Sequence, residues 1–160
     1  MSRRDQIRMT DEEVADFLEQ ERTVICATIG RDGFPHLMPL WYVVRDGQIW
    51  AWTFAKSQKA RNLERDPRAT LEVEAGKEYA QLRGVMLRSD VTIHRDTEIV
   101  TAFGMELFDR YQEDRPDPPG ELPDDVREMV HAQAPKRVAL QFAERSRVTW
   151  DHRKLAAGVY

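Results

Sequence analysis

The sequence predicts a mainly β (α+β) protein in which about six, mostly antiparallel strands form a closed or partly closed barrel with peripheral helices. Two observations lead to this prediction. Residues 48–54 and 69–75 alternate their side chains with the two-residue period of a strand. Asp32-Gly33 and Asp46-Gly47 lie between extended runs, and Asp-Gly favours the tight turns that join antiparallel strands. An α+β sandwich is the structural alternative.

Further extended segments follow the same reasoning. They are predicted at residues 23–29, 36–44, 82–93, 136–142 and 147–150. Pro39 lies inside the segment 36–44, which predicts an edge strand or a bulge because proline cannot donate to a ladder. Gly84 lies inside the segment 82–93 and predicts a bend or a close approach of another group to the backbone.

Helices are predicted around these strands. The first follows a capping box in which Thr10 is the N-cap and Glu13 reaches back, and it ends near residue 22. The others are predicted at residues 60–65, 97–111 and 125–133. Residues 113–125 are rich in proline and acid, which predicts a loop, either a substrate lid or a surface insert. We expect one domain over residues 1–160, with the N-terminal helix within residues 1–22.

Composition argues against several functional classes. A net charge of −4 and a pI of about 5.6 lack the basic balance typical of nucleic-acid binding. No apolar run is long enough to span a membrane, and the N-terminus lacks the apolar core of a signal peptide. Cys26 is the only cysteine, which predicts a cytoplasmic protein, and its apolar neighbours predict a buried side chain. The four histidines lack metal-ligand spacing, so no metal site is expected.

The most informative segment is residues 50–68 (WAWTFAKSQKARNLERDPR), where a predicted strand ends and a short helix begins. Lys56, Ser57 and Lys59 bring two ammonium groups and a hydroxyl to this junction. Free N–H groups and the helix dipole at a helix N-terminus favour a bound anion. The segment therefore predicts a phosphate site. The alternative is that both lysines are solvated and that Ser57 is only the N-cap.

Several short motifs occur in a characteristic order. They are Pro39-Leu40-Trp41, Trp52-Thr53, Lys56-Ser57-x-Lys59, Asn62-Leu63-x-Arg65-Asp66-Pro67, Glu74-x-Gly76, Leu82-Arg83-Gly84-Val85 and Trp150-Asp151-His152-Arg153-Lys154. Over roughly residues 23–155 the sequence thus resembles the pyridoxamine 5'-phosphate oxidase-like split β-barrel proteins. Within that family it is most similar to the flavin/deazaflavin oxidoreductases, which often use coenzyme F420. The resemblance implies a six-stranded, FMN-binding-like split barrel with peripheral helices.

The resemblance also implies a homodimer with two equivalent cofactor sites at the subunit interface. In that family the region corresponding to residues 52–59 binds the cofactor phosphate, and the ring lies along the strand corresponding to residues 39–42. Residues of the second subunit complete the pocket, for which the C-terminal Trp-x-x-Arg portion and Tyr79, Arg83 and Arg88 are candidates. The implied cofactor-binding residues are Pro39, Leu40, Trp41, Trp52, Thr53, Lys56, Ser57, Lys59, Asn62, Tyr79, Arg83, Trp150 and Arg153. Taken singly, the tryptophans are instead expected to pack in the core or the interface.

One departure from the family concerns the C-terminal motif. Pyridoxamine 5'-phosphate oxidases proper carry Arg-x-His there for the substrate phosphate, whereas this chain reads Trp150-Asp151-His152-Arg153. The changed order argues against vitamin B6 oxidation and favours a different substrate.

These features lead to three functional hypotheses. The first is an oxidoreductase that transfers a hydride between a deazaflavin (F420) and a small conjugated organic acceptor, with no side chain assigned as catalytic because the cofactor carries the redox chemistry. Arg61 and Arg65 favour it, because a polyglutamate tail needs a basic track and FMN has no such tail. The second hypothesis keeps the fold with FMN as the cofactor. The third is a non-catalytic protein that binds a cofactor, haem or another tetrapyrrole.

Overall fold

The computed structural model describes residues 2–112 and 121–155, which form one antiparallel sheet and several helices. The helices are α1 (Arg3–Gln6), α2 (Asp11–Gln20), α3 (Gln58–Arg65), α4 (Thr97–Arg110) and α5 (Asp124–Gln133). The strands are β1 (Val24–Ile29), β2 (Pro35–Leu40), β3 (Val43–Arg45), β4 (Gln48–Phe54), β5 (Arg68–Ala75), β6 (Arg83–His94) and β7 (Arg137–Asp151). Short 3₁₀ turns cover Tyr79–Gln81, Ala134–Lys136 and His152–Lys154. None of the described helices has the length and apolar character needed to cross a membrane.

The strand order explains why the sheet curls into a half-barrel. Across the sheet the order is β2-β1-β5-β6-β7-β4-β3, so β2 and β3 are its two edges. Only Trp41 and Tyr42 separate these two strands along the chain, so the edges of the sheet must meet at this corner. All paired strands are antiparallel. The predicted α+β barrel is confirmed, but it has seven strands rather than six.

The seventh strand arises because the predicted strand 36–44 is broken at Trp41 and Tyr42. The Tyr42 N–H donates to the hydroxyl of Tyr111 at 2.9 Å instead of to a neighbouring strand. The Tyr42 hydroxyl donates to the carbonyl of Leu18 at 2.6 Å. These contacts turn the chain at the corner, and β2 becomes the edge strand that Pro39 predicted.

The strands predicted at 136–142 and 147–150 are one continuous strand, β7. The neighbouring β6 is 12 residues long and pairs with β7 along its whole length, so the polar residues between the two predicted strands find ladder partners. The pairing shifts between Arg88 and Ser89, which face Ser146 and Glu144, and Arg145 is the extra residue of a β-bulge. A bulge therefore replaces the expected interruption.

The helix boundaries also differ in part from the prediction. The N-terminal segment holds two helices, and α2 ends at Gln20. The capping box is confirmed, because the Thr10 N–H donates to the Glu13 carboxylate at 2.6 Å and the Glu13 N–H donates to the Thr10 hydroxyl at 3.2 Å. Most of the predicted loop 113–125 falls on residues 113–120, which lie outside the described residues. α5 then begins at Asp124.

Two apolar clusters stabilise the sheet. The larger fills the barrel interior with inward-facing side chains such as Val24, Leu71 and Leu140. It includes Cys26, which has no exposed surface and whose pKa burial raises to about 12, so the expected buried side chain is confirmed. The smaller cluster packs α4 against the outer face of β3, β4 and β7, with Phe103 fully buried. The sheet thus carries apolar contacts on both faces over part of its area.

Arg110, at the end of α4, connects three parts of the fold. Its guanidinium is buried and donates to the carbonyls of Tyr42 at 2.6 Å, Leu18 at 2.8 Å, Glu19 at 3.0 Å and Glu21 at 3.1 Å. The last carbonyls of α2 have no partners within the helix, so this cation satisfies them. One side chain therefore fixes α2 and α4 to the corner where the barrel closes.

Replacing Arg110 with alanine should lower the free energy of unfolding by about 3 kcal/mol, because several buried carbonyls lose a charged donor. Urea denaturation measures this loss. Glu19→Gln is the control, because its mostly exposed carboxylate lies 3.9 Å from Arg110 and should change stability by less than about 0.5 kcal/mol. Equal stability of the Arg110→Ala variant and the native protein would contradict the assigned role.

Candidate functional site

α3 closes one end of the barrel. The helix begins after Ser57, whose hydroxyl accepts the Ala60 N–H at 3.2 Å, and this cap places its start at Gln58, two residues earlier than predicted. Ala60 and Leu63 pack into the barrel core. The inner face of the helix also carries two polar residues, Lys59 and Asn62, which are buried at the barrel end. The segment that the sequence singled out is therefore built around buried polar groups.

Lys59 is the central cation of this arrangement. Its side chain points inward, with only 7% of the residue exposed, and Nζ donates to the hydroxyl of Thr53 at 3.2 Å. No carboxylate among the described residues pairs with it, and an ammonium group has further donors to satisfy. Burial lowers the pKa of Lys59, and the positive charge of Arg137 lowers it further. An anion at this end of the barrel would stabilise the charged form.

Asn62 connects α3 to β1 at the barrel end. Its amide nitrogen donates to the hydroxyl of Thr28 on β1 at 3.1 Å. Its amide oxygen accepts from Gln58 at 2.9 Å and from Arg65 at 3.4 Å. Arg65 also donates to the carbonyl of Ile29 at 2.5 Å. Asn62 therefore positions the side chains of α3 against the end of β1.

A groove opens between α3 and the turn that joins β1 to β2, and we call it the arginine groove. It consists of two adjoining hollows of about 660 and 600 Å³, and Arg31 and Gln58 line both. Arg61 and Arg65 line it from α3. Glu64 also faces the groove, but its carboxylate is bonded to Arg95. The Asp32 carboxylate lines the groove as well, so its three arginines outnumber its two carboxylates and positive charge predominates.

Two of its arginines have no described partner. Arg31 and Arg61 are exposed, and within residues 2–112 and 121–155 neither makes an ion pair or a side-chain hydrogen bond. Lys56 is likewise exposed at the adjacent loop. These side chains are free to contact a bound anion. Arg65 is exposed as well.

Two functional candidates were missed by the sequence reasoning. His36 lines the arginine groove, and its Nδ1 atom is buried without a hydrogen-bond partner among the described residues. Arg137, at the start of β7, pairs with Phe54 across the sheet, and its guanidinium lies 4.0 Å from the Phe54 ring centroid and 4.4 Å from that of Trp52. Its Nε is also buried without a described partner. No local motif marks Arg137, because only strand pairing brings it to this site.

The residues predicted to lie along a cofactor ring follow the edge of the sheet. Pro39 is exposed and Leu40 half-buried at the end of β2. Trp41 follows at the corner, with 48% of its surface exposed, and its ring stacks on Tyr111 at 4.4 Å between centroids. Trp52, by contrast, is buried against Phe108. The expectation of core packing is thus confirmed for Trp52, whereas Trp41 presents a large exposed surface.

A second group of predicted residues lies around the C-terminal end of β7. The Trp150 ring covers Gly84 so closely that a side chain at Gly84 would collide with it, which confirms the predicted close approach. Arg153 forms a bidentate pair with Asp151 at 2.6 and 2.8 Å, which lowers the pKa of Asp151. Arg83 pairs across the sheet with Asp151. These residues are held by contacts within the chain.

Tyr79 and Arg83 complete this second group. The Tyr79 ring, 60% exposed, meets the His152 ring edge to face at 4.7 Å. Arg83 donates to Gln20 at 3.3 Å and to Glu21 at 3.5 Å. The group therefore combines an exposed aromatic ring with several charges at one end of the sheet.

The two groups of predicted residues lie at opposite ends of β7. Arg137 lies at the end of β7 that is next to Thr53, Ser57 and Lys59, which we call the Lys59 group. Trp150 lies at the other end and belongs, with Tyr79, Arg83 and Arg153, to what we call the C-terminal group. At about 3.3 Å per residue, the strand between them is about 40 Å long. A single chain therefore brings Thr53, Ser57 and Lys59 together but keeps them away from the C-terminal group.

Within the described ranges, no three histidine, cysteine, aspartate or glutamate side chains are grouped so that they could hold a metal ion.

The chain is similar to known proteins in both sequence and structure. Residues 10–142 match the family model described as pyridoxamine 5'-phosphate oxidase. A search of curated proteins found no match. Among solved structures, a conserved hypothetical protein from Mycobacterium tuberculosis is 39% identical in sequence with a TM-score of 0.84, over 99% of this chain and 98% of that chain.

Two more distant structures share the fold. An F420 reductase is 24% identical with a TM-score of 0.64, over 86% of this chain and 98% of that chain. A heme storage protein from Vibrio cholerae is 16% identical with a TM-score of 0.64, over 87% of this chain and 94% of that chain. At these identities the likeness concerns the fold alone.

Replacing Lys59 with methionine should raise the free energy of unfolding at neutral pH by about 1 kcal/mol, because it removes a buried charge that has no counter-ion among the described residues. Burial lowers the pKa of Lys59 below the unfolded value of 10.5, so the cost of folding the charged form disappears as the pH rises towards 10.5. Urea denaturation across that pH range should show the gap between variant and native protein narrowing.

Lys56→Met is the matched control, because Lys56 is exposed and its replacement should leave the pH dependence unchanged. A gap between Lys59→Met and the native protein that stays constant with pH would show that the ammonium is solvated.

Proposed function

The chain belongs to the pyridoxamine 5'-phosphate oxidase family, and from this premise we propose that it is an oxidoreductase that transfers a hydride between a deazaflavin, coenzyme F420, and a small conjugated organic acceptor. The family match supports a flavin-type oxidoreductase. The observation that favours the deazaflavin is the arginine groove, which is lined by the same helix, α3, that carries the buried Lys59.

The residues at the barrel end fit the phosphate of such a cofactor. Lys59 has one described acceptor for its ammonium group, and the Nε of Arg137 and the Nδ1 of His36 are buried without described partners. Burying a polar atom without a hydrogen-bond partner destabilises the folded state by about 1–3 kcal/mol. A phosphate oxygen that accepts a hydrogen bond from such a donor would offset that loss. The Ser57 hydroxyl and the N-terminus of α3 add dipoles that favour an anion.

The arginine groove fits an acidic tail that extends beyond the phosphate. Arg31 approaches from the β1–β2 turn and Arg61 from α3, and both guanidinium groups are available because they lack described partners. Guanidinium groups bind carboxylates through two parallel hydrogen bonds. A polyglutamate tail would offer such carboxylates, whereas FMN ends at its phosphate.

The edge strand β2 fits the ring. When bound, the deazaflavin supplies the hydride chemistry, and the protein binds, orients and shields it from water. Trp41 is suited to this task because Tyr111 holds its ring in place and the Tyr111 hydroxyl donates to the Arg22 carbonyl at 2.7 Å.

We further propose that the chain acts as a homodimer. Phe34, Leu37, Met38 and Trp41 expose large apolar surfaces along the edge strand and its turn, and such patches mark association surfaces. The C-terminal group, which includes Trp150, lies about 40 Å along β7 from the Lys59 group. A second copy could bring its C-terminal group to the cofactor site of the first.

FMN is the second candidate cofactor. The phosphate site alone would serve FMN equally well, and the matched family is described as that of an oxidase. The two cofactors differ in whether they would contact the arginine groove, so replacing the arginines of the groove distinguishes them.

Isothermal titration of the purified protein with F420, FMN and haemin should give the tightest binding for F420. Replacing Arg31 and Arg61 together with glutamine should weaken F420 binding about tenfold or more and leave FMN binding unchanged, because only the deazaflavin tail reaches the groove. Arg8→Gln, an exposed arginine outside the groove, is the control. Tight FMN binding without F420 binding would reject the deazaflavin, and tight haemin binding alone would favour a storage role.

Leu37→Glu should convert the proposed dimer to a monomer, because it places a charge in the centre of the exposed apolar edge. Sedimentation velocity at micromolar concentration measures the change. Ile99→Glu is the matched control, because Ile99 is 42% exposed on α4, away from β2. A native protein that sediments as a monomer would contradict the dimer.

A further inference from the structure

We propose that two copies of the chain associate through the outer face of the sheet, in the orientation that brings the C-terminal group of one copy to the cofactor end of the other. The orientation rests on the homodimer proposed above. We call this surface the outer sheet face. It consists of three rows of paired residues, which are Leu37-Ala27-Thr70-Arg88-Ser146, Pro39-Ile25-Glu72-Met86-Val148 and Glu74-Gly84-Trp150.

The two ends of this face lie next to different groups. Pro35, two residues before Leu37 on β2, lines the arginine groove, so the row that contains Leu37 is nearest to the groove. The third row ends at Trp150, which belongs to the C-terminal group. The strands thus run from a groove end to a C-terminal end.

The described helices leave the outer sheet face uncovered. The buried residues of α2 and α3 pack in the barrel interior, where they contact the inward-facing side chains of the strands. α4 packs on the outer face of β3, β4 and the first part of β7. The outer side of β2, β1, β5 and β6 therefore faces solvent in a single chain.

Two prolines restrict association to contacts between side chains. The Gly30 N–H donates to the Phe34 carbonyl at 2.8 Å. Because backbone groups alternate in direction along an antiparallel pair, those of Pro35, Leu37 and Pro39 point away from β1. Proline has no N–H, so Leu37 is the one donor among these three residues. A second strand therefore cannot extend the sheet at β2 through a regular ladder.

Apolar side chains cross the face from one side to the other. Leu37 is 55% exposed on β2, and Val148 is 36% exposed on β7. Ile25, Ala27 and Met86 lie between them and are half-buried. A connected apolar surface of this kind is typical of a protein interface.

The charges on the face are divided between its two ends. Arg88 is exposed in the row nearest to the groove, whereas Glu72 and Glu74 are exposed in the second and third rows. None of the three makes an ion pair or a side-chain hydrogen bond with another residue in the described ranges. Near Arg88, the cations Arg68 and Arg145 are each paired with an aspartate. The uncompensated charge is therefore positive at the groove end and negative towards the C-terminal end.

This division of charge selects a second copy in one orientation. In a twofold dimer each residue contacts a partner residue reciprocally. If the two copies lay with their groove ends together, like charges would meet, which is unfavourable. With the copies in opposite directions, Arg88 of each copy meets the partner's Glu72. The same orientation moves the C-terminal group of each copy towards the arginine groove of the other.

The test is sedimentation equilibrium of the full-length protein with reversed charges. Arg88→Glu and Glu72→Arg should each weaken the dimer about tenfold or more, because each replaces two attractive pairs with like-charge contacts. Combining the two substitutions reverses the pair and should restore the dissociation constant to within about threefold of that of the native protein. Both residues are exposed, so urea denaturation should show every variant folded.

Arg88→Glu combined with Glu128→Arg is the matched control. Glu128 is exposed on α5, away from the face, so this variant has the native net charge of −4 without the reversed pair. Its dimer should stay as weak as that of Arg88→Glu, and recovery would overturn the proposal by showing an effect of net charge. A native dimer that Arg88→Glu leaves intact would overturn the orientation but not the homodimer, whereas a native monomer would overturn both. Titration with F420 tests the cofactor proposal separately.

Discussion

The hydrogen bonds of Arg110 to the corner between β2 and β3 are the interaction on which the rest of the structure depends. The two edges of the sheet meet only at Trp41 and Tyr42, and the carbonyl of Tyr42 accepts from this buried cation. The same guanidinium satisfies the free carbonyls at the end of α2. Closing the barrel in this way leaves β2 as an exposed edge and presents Trp41 at its end.

At the other end of the barrel a cation, Lys59, is buried with few hydrogen-bond partners among the described residues. α3 closes that end with Lys59 and Asn62 facing inward; Asn62 bonds through both its amide nitrogen and its amide oxygen, whereas Lys59 donates to the Thr53 hydroxyl. Burying a charged group in this way raises the free energy of the folded state, and a bound anion would lower it again. We therefore expect the free energy of unfolding to be lower without a ligand at this end of the barrel. This is why we propose that the cofactor phosphate binds there.

Local signals predicted the individual elements well where the chemistry is local. The Thr10 capping box, the turns at Asp32-Gly33 and Asp46-Gly47 and the alternation of β5 depend on residues close in sequence, and the structure contains each of them. The interruptions of strands were predicted less well. The break at Trp41 depends on Tyr111, which is remote in sequence, and the continuity of β7 depends on pairing with β6.

Side-chain period, turn chemistry and adjacent residues were enough to predict the α+β class, the antiparallel hairpins and the grouping of Thr53, Ser57 and Lys59. The family was predicted from the order of its short motifs. Only the folded chain shows that Lys59 points inward, that Arg137 packs on Trp52 and Phe54, and that Trp150 lies at the far end of β7. The physical reason is that register and burial are set by pairing between strands distant in the chain, which no local pattern encodes.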